Sequence, residues 1–297
     1  MQKVLLATDL SAHGDRAGRR AVQLVRRREV ELRVVHVIQA DLEEDALRRL
    51  FGDSVAVETL QADLLQSTQE TISERLAGEL AGTSADYSVS CIMGRGHPEI
   101  SAQAQEWGAE LVVIGAHGHH GVRDFFLGTT AESLVHDLKQ SVLIVKSSSV
   151  ADYRRVVVPV DFSQRSLNAL QFARILAPQA VIEVVHVFDT TPFERLYRSS
   201  SAGSQMRQVV ELGKEESRQK LARWISDSGS IGHEIASQSL RCGYPPKEIV
   251  AAAEESNADL IVLGTRGLSH WRGAMAGSVA RRVLQQAECD VALERCE

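Results

Sequence analysis

The sequence predicts an α/β protein made of two tandem, doubly wound, five-stranded parallel sheets. Three observations carry that expectation. Short apolar, β-branched runs alternate with helical stretches along the whole chain. The alternation occurs twice with matching landmarks. Val4-Leu5-Leu6-Ala7-Thr8-Asp9-Leu10-Ser11 answers to Val156-Val157-Val158-Pro159-Val160-Asp161-Phe162-Ser163. Val34-Val35-His36-Val37 answers to Val184-Val185-His186-Val187, and Ala109-Glu110-Leu111-Val112-Val113-Ile114-Gly115 to Ala258-Asp259-Leu260-Ile261-Val262-Leu263-Gly264. Finally, one glycine pattern is repeated. Gly115-Ala116-His117-Gly118, nine residues and Gly128-Thr129 match Gly264-Thr265-Arg266-Gly267, nine residues and Gly277-Ser278.

The bulk numbers agree with a duplication. A chain of 297 residues suggests two domains of ordinary size. With 44% apolar and 24% charged residues it has a globular composition. A formal charge of -6 gives no whole-surface attraction to nucleic acid or anionic lipid. No apolar run approaches the roughly 18 residues of a spanning helix, and MQKVLLATDL meets an Asp too early for a signal peptide. Cys91, Cys242, Cys289 and Cys296 show no CxxC spacing and read as reduced thiols of a cytoplasmic protein. Ser147-Ser148-Ser149 is a polar break without periodicity, which sets the domains at 1–148 and 153–297.

Taken in order, each half opens with a strand apolar on both faces that ends in Asp-x-Ser. Ser11 and Ser163 are placed to cap helices over about 13–28 and 164–177. Second strands are expected over 31–38 and 181–188. Looser segments follow over 39–56 and 189–204, with a short helical piece over 42–50 and Pro192 suited to a helix first turn. Helices over 58–80 and 205–227 lead to third strands over 86–92 and 233–240. Gly94-Arg95-Gly96-His97-Pro98 and Gly243-Tyr244-Pro245-Pro246 start helices that end at Gly108 and Asn257, the two residue types best suited to a left-handed cap. Fourth strands over 110–115 and 259–264 enter the glycine loops, helices start near 129 and 278, and fifth strands run over 141–146 and 290–294.

Right-handed crossovers favour the strand order 3-2-1-4-5, a Rossmann-like arrangement in which the chain reverses between strands 1 and 4. A crevice opens there, bordered by Asp-x-Ser and the glycine loop. Glycines let backbone amides approach a phosphate, and a hydroxyl at a helix start adds a hydrogen bond where the dipole favours an anion. Asp9 or Asp161 is suited to accept from ribose hydroxyls or an adenine amino group. The competing reading makes the glycines mere turn and cap residues. A Walker loop is excluded, since Gly213-Lys214 is followed by Glu215, and no Gly-x-Gly-x-x-Gly follows either first strand.

Gly-x2-Gly-x9-Gly-[Ser/Thr], an early Asp-x-Ser and a Val-x-His-Val strand together resemble the universal stress protein family, twice over essentially the whole chain. The glycine pattern is that of the family's ATP-binding branch. The resemblance implies ATP, or ADP or AMP, with Mg on the phosphates, and a cytoplasmic role as a nucleotide-dependent regulator of stress survival. It further implies that Asp9 and Asp161 meet ribose or adenine, and that Val37 and Val187 hold adenine through their backbone. Ile114 and Leu263 would pack on the nucleoside. Gly115, Gly118, Gly128, Thr129 and Thr130 would take phosphates in the first half, and Gly264, Gly267, Gly277, Ser278 and Val279 in the second. Ala7 stands where the second half keeps Pro159, and Leu10 and Phe162 stand where many members have glycine, departures that narrow either pocket.

Other features have plainer readings. His117, His119 and His120 cluster in the first loop, but adjacent histidines converge poorly on a metal and no carboxylate or Cys sits at ligand spacing, so no metal site is assigned. A pH-sensitive phosphate contact fits them better. His36 and His186 read as structural. Arg123 and Arg272, at matching places, are either phosphate clamps or surface residues. Phe125-Phe126 would cover the first pocket or pack at a subunit contact. No nucleophile and base are paired, so no catalytic residue is assigned and rapid ATP hydrolysis is not expected. A nucleotide-free interaction scaffold and a slow ATPase or autokinase remain the alternatives. Pairing through the fifth strands, 142–145 and 291–293, would join the halves or form a homodimer.

Overall fold

The protein is represented by a computed structural model. It describes residues 1–26, 29–39, 57–81, 85–116, 128–149, 151–193, 203–264 and 278–295. Two compact units emerge, Met1–Val150 and Ala151–Glu297. The first contains β1 (Lys3–Ala7), α1 (Ala12–Val25), β2 (Glu31–Ile38), α2 (Val57–Leu80), β3 (Tyr87–Met93), α3 (Gly96–Trp107), β4 (Leu111–Gly115), α4 (Thr129–Asp137) and β5 (Ser141–Val145). The second repeats this as β6 (Arg155–Pro159), α5 (Gln164–Leu176), β7 (Val181–Asp189), α6 (Gly203–Asp227), β8 (Ile235–Gly243), α7 (Pro245–Glu255), β9 (Leu260–Gly264), α8 (Ser278–Gln286) and β10 (Asp290–Glu294).

Every described strand pairing inside each unit is parallel. The order is β3-β2-β1-β4-β5 in the first unit and β8-β7-β6-β9-β10 in the second. The predicted class and tandem arrangement are therefore present. The central strands are apolar without alternation because both of their faces are buried. Val4, Leu5, Leu6, Leu111, Val112 and Val113 in the first unit, and their counterparts in β6 and β9, lie in the core.

The helix ends follow their expected chemistry. The Ser11 hydroxyl accepts from Gly14 N–H at 3.1 Å, and the Ser163 hydroxyl from Ser166 N–H at 3.4 Å. Gly108, at φ 70°, is the left-handed cap of α3, and Asn257, at φ 50°, adopts the same hand after α7. Several boundaries differ by a few residues. The strand expected from 233 begins at Ile235, because Gly229–Glu234 forms a 3-10 turn that closes the end of α6. The helical piece over 42–50 lies outside the described residues.

The start of the second unit is anchored by polar contacts. One Asp259 carboxylate oxygen accepts from Arg154 and Arg155 N–H at 2.7 and 3.0 Å. Tyr153, buried, donates its hydroxyl to Asp290 Oδ2 at 2.7 Å, and Asp290 is 0% exposed. Taking a hydrogen bond from a fully buried carboxylate costs more than its net contribution elsewhere. Tyr153→Phe is expected to destabilise the second unit by about 2 kcal/mol, read as a lower urea midpoint. An unchanged midpoint would refute the anchoring role.

Candidate functional site

β1 and β4 lie side by side, with Ala7 in register with Ile114 and, on its other edge, with Val35. β1 stops at Ala7, whereas β2 continues to Ile38. The last bond between the two strands runs from Thr8 N–H to the Val35 carbonyl at 3.1 Å. Residues two apart on a strand point their backbone groups to the same side. Val37 therefore turns its N–H and C=O toward the gap left where β1 ends. Val187 is placed the same way, since Val160 N–H donates to Val185 C=O at 2.9 Å. The crevice thus has an open backbone edge on one wall in each unit.

The opposite wall is set by close backbone packing. A Cβ built on Gly115 would stand 2.8 Å from the His13 carbonyl oxygen, and one on Gly264 would stand 2.6 Å from that of Arg165. The first turn of α1, and of α5, rests directly on the end of the fourth strand. The first glycine of each loop is thus required by packing before any ligand is considered. In the first unit the loop's two ends are also tied. Gly128 N–H donates to the Ala116 carbonyl at 2.9 Å, and Ala116 N–H to Val145 C=O at 3.1 Å. Gly128 is the N-cap of α4 and supplies no side-chain cap, while Thr129 and Thr130 are exposed. Such a helix start offers its first-turn amides to an anion.

A histidine on the second strand fixes the turn between these walls. His36 Nδ1 lies 2.8 Å from the Thr8 carbonyl, and His186 Nδ1 lies 2.8 Å from that of Val160. A carbonyl only accepts, so Nδ1 carries the proton in both rings. The structural reading of these histidines is the one the geometry supports. Burial pushes the His186 ring below its usual pKa, although the bond to Val160 and the nearby Asp161 charge oppose this.

Within the turns, Leu10 and Phe162 have φ of 62° and 66°, the left-handed region that bulky residues seldom adopt. This explains why a glycine fits the position, and each side chain has found a place. Leu10 borders a cleft with Leu6, Ile72 and Leu76. The Phe162 ring packs on His186 with centroids 4.2 Å apart. Asp9 Oδ1 accepts from Ser11 N–H at 3.0 Å, and Asp161 Oδ1 from Ser163 N–H at 3.1 Å. Asp161 also engages Ser166, whose hydroxyl donates to Oδ1 at 2.6 Å and accepts from Asp161 N–H at 2.9 Å. Burial raises the Asp161 carboxyl, but the hydrogen bonds from Ser163 and Ser166 outweigh it and hold the group below the usual carboxylate range.

Of the residues singled out by sequence, Ala7, Asp9, Val37, Gly115, Gly128, Thr129 and Thr130 border or support the first crevice. Pro159, Asp161, Val187, Gly264, Ser278 and Val279 occupy equivalent places in the second unit. Ile114 and Leu263 are buried at 3% and 5% exposure, in the floor of each unit rather than on an open surface. Gly118, Gly267 and Gly277 lie outside the described residues, as do His117, His119, His120, Arg123, Phe125, Phe126, Arg272 and Cys296. Sequence reasoning missed Ser166 and Gly14, which stand at the same place after Asp-x-Ser. Aligning the two halves one turn further would have exposed the difference.

Comparison with known proteins supplies the rest. The chain matches the universal stress protein family over residues 1–146 and again over 152–295. Universal stress protein MJ0531 of Methanocaldococcus jannaschii is 36% identical over 47% of this chain and 80% of its own. Universal stress protein Rv2005c of Mycobacterium tuberculosis is 24% identical over 98% of this chain and 96% of its own. A crystal structure of a universal stress protein from Archaeoglobus fulgidus superposes with a TM-score of 0.66 at 22% identity, covering 98% of this chain and 97% of that one.

Gly264→Ala is expected to destabilise the second unit by roughly 1–3 kcal/mol, the usual range for overpacking, because its new methyl meets backbone. Denaturant unfolding equal to the parent's would show that α5 can shift freely. His186 gives a pH signature. Its folded-state pKa is depressed, so its contribution is full above the unfolded value of about 6.5 and is lost as pH falls through the folded value. His186→Gln is expected to flatten the fall in stability between neutral pH and about pH 5, measured by unfolding at several pH values.

Proposed function

The chain belongs to the universal stress protein family, in tandem form, and from that premise we propose that it binds an adenine nucleotide in one or both units and acts as a nucleotide-dependent regulator. One observation carries the reading. In each unit the Asp-x-Ser turn and the first glycine of the loop lie at the carboxyl ends of adjacent central strands, where the strand order reverses. A ligand with a polar base, a diol and a phosphate chain matches what borders that crevice. The outward backbone of Val37 or Val187 suits adenine, the carboxylate of Asp9 or Asp161 suits the ribose, and the start of α4 or α8 suits phosphate. ATP with Mg is the favoured ligand, the metal neutralising phosphate charge, with ADP and AMP as the close alternatives.

Regulation by nucleotide requires that the ligand favour one arrangement of the loop over others. In the first unit the loop is already closed at its base by the Gly128–Ala116 bond. A phosphate bound at the start of α4 would favour one arrangement of the surface around that frame and so alter what is presented to a protein partner. Action in the cytoplasm belongs to the same reading. It is supported by the absence of a CxxC pair in the sequence and by free thiols at Cys91 and Cys242.

Calorimetric titration of the purified full chain with ATP and Mg, after any co-purified nucleotide has been removed, tests the proposal. Binding in the micromolar range that weakens at least tenfold, about 1.4 kcal/mol per site, in Asp9→Ala or Asp161→Ala is expected. A chain that binds none of ATP, ADP or AMP at millimolar concentration would place the scaffold alternative in front.

A further inference from the structure

The two units differ at one residue that touches the key carboxylate. Ser166 is buried, and its hydroxyl joins Asp161 twice, donating to Oδ1 at 2.6 Å and accepting from the Asp161 N–H at 2.9 Å. Ser163 closes the ring, its N–H on Oδ1 and its hydroxyl on Ser166 N–H. The flanking residues are held as well, Val160 by His186 and Phe162 by packing on the same ring. Among the described residues Asp161 Oδ2 makes no hydrogen bond, and Asp161 is exposed. A fixed carboxylate with one oxygen toward solvent is prepared to accept from a ligand without first being ordered.

The first unit has Gly14 in place of Ser166. A Cβ on Gly14 would stand 2.7 Å from Asp9 Oδ1 and 2.8 Å from Thr8 Oγ1. Both are closer than real Cβ contacts, so the Asp9 carboxylate occupies space that a serine would claim. The two aspartates, alike in sequence, are therefore held differently. The second lies in a serine ring, and the first lies down on the start of α1.

We propose that Ser166 is a positioning residue that presets Asp161 for a ribose hydroxyl or adenine amino group, making the second unit's nucleotide site distinct from the first. This rests on the nucleotide reading above. The depressed titration of Asp161 has the same source, the bonds from Ser163 and Ser166. Among the described residues the titratable group that interacts with it is His186 of β7, itself influenced by Lys220 of α6. His186 protonates in parent and variant alike, so their difference isolates the serine.

The test uses the full chain and two readouts. In the first, the Asp161 carboxyl is followed by NMR against pH without nucleotide, in the parent, Ser166→Ala and Ser166→Thr. The alanine variant is expected to titrate at higher pH than the parent, and the threonine variant, which keeps a hydroxyl, to titrate near it. In the second, ATP with Mg is titrated by calorimetry. Ser166→Ala is expected to weaken one site, that of the second unit, about tenfold, the loss of one hydrogen bond to a charged group, while the other site is unchanged. On acidification the alanine variant should lose affinity at a higher pH than the parent, and Ser166→Thr should restore most of the affinity. An Asp161 titration indifferent to Ser166→Ala overturns the clamp, whatever the nucleotide does. A shifted titration with both affinities unchanged overturns its role in binding. No nucleotide bound by the parent, with the titration shifted as expected, overturns the nucleotide reading and the site assignment with it.

Discussion

At the end of each central strand pair, the first turn of the following helix lies against bare glycine backbone. His13 C=O over Gly115 and Arg165 C=O over Gly264 leave no room for a side chain. Much else follows from this contact. It sets how far the start of α1 or α5 reaches over the sheet, and so where Ser11 and Ser163 cap it. The cap residue is two positions after the aspartate, and its N–H holds the carboxylate. The aspartate's place above the crevice is thus a consequence of how closely a helix can approach a strand. The second-strand histidine completes the arrangement by holding the carbonyl just before the aspartate.

Most of the architecture could be read from sequence because it depends on local rules repeated twice. Continuous apolar runs give strands buried on both faces, the Ser caps and the Gly108 and Asn257 stops bound helices α1, α5, α3 and α7, and strand order follows from the handedness of crossovers. What was not legible depends on contacts between residues distant in sequence. Nothing local distinguishes Gly115 as a packing residue from Gly115 as a phosphate residue. The distinction appears only when the His13 carbonyl is found against it. The 3-10 turn at Gly229–Glu234 likewise lacks a pattern of its own and is set by how α6 ends. Ile114 and Leu263 illustrate the reverse. Their position before the loop suggests ligand contact, and their burial adds a packing role in the core that the sequence does not single out.

The left-handed Leu10 and Phe162 show how a departure from a family pattern can be accommodated. A bulky residue in that region costs on the order of 1–2 kcal/mol, and a glycine would avoid the cost. Each side chain instead gains a contact, Leu10 along the cleft with Ile72 and Leu76, Phe162 on the ring of His186. In the second unit that contact lies on the very histidine that holds Val160. Phe162 and Val160 are therefore held through one histidine, and the left-handed residue is tied into the same set of contacts that fixes the turn.

Duplication creates two equal copies, and a difference in their physics begins with a single contact that only one copy can make. Ser166 and Gly14 are such a pair. A serine hydroxyl in the first turn of a helix finds an acceptor within reach, either a carbonyl of the preceding turn or a neighbouring side chain. At Ser166 that acceptor is the aspartate. A glycine at the same place makes no such demand and lets the carboxylate settle closer to the helix. Once the two aspartates are held differently, any ligand that must meet an aspartate and a helix start together meets two differently placed carboxylates. Equal loops would not restore equality, because the two aspartates are already held differently at the turn.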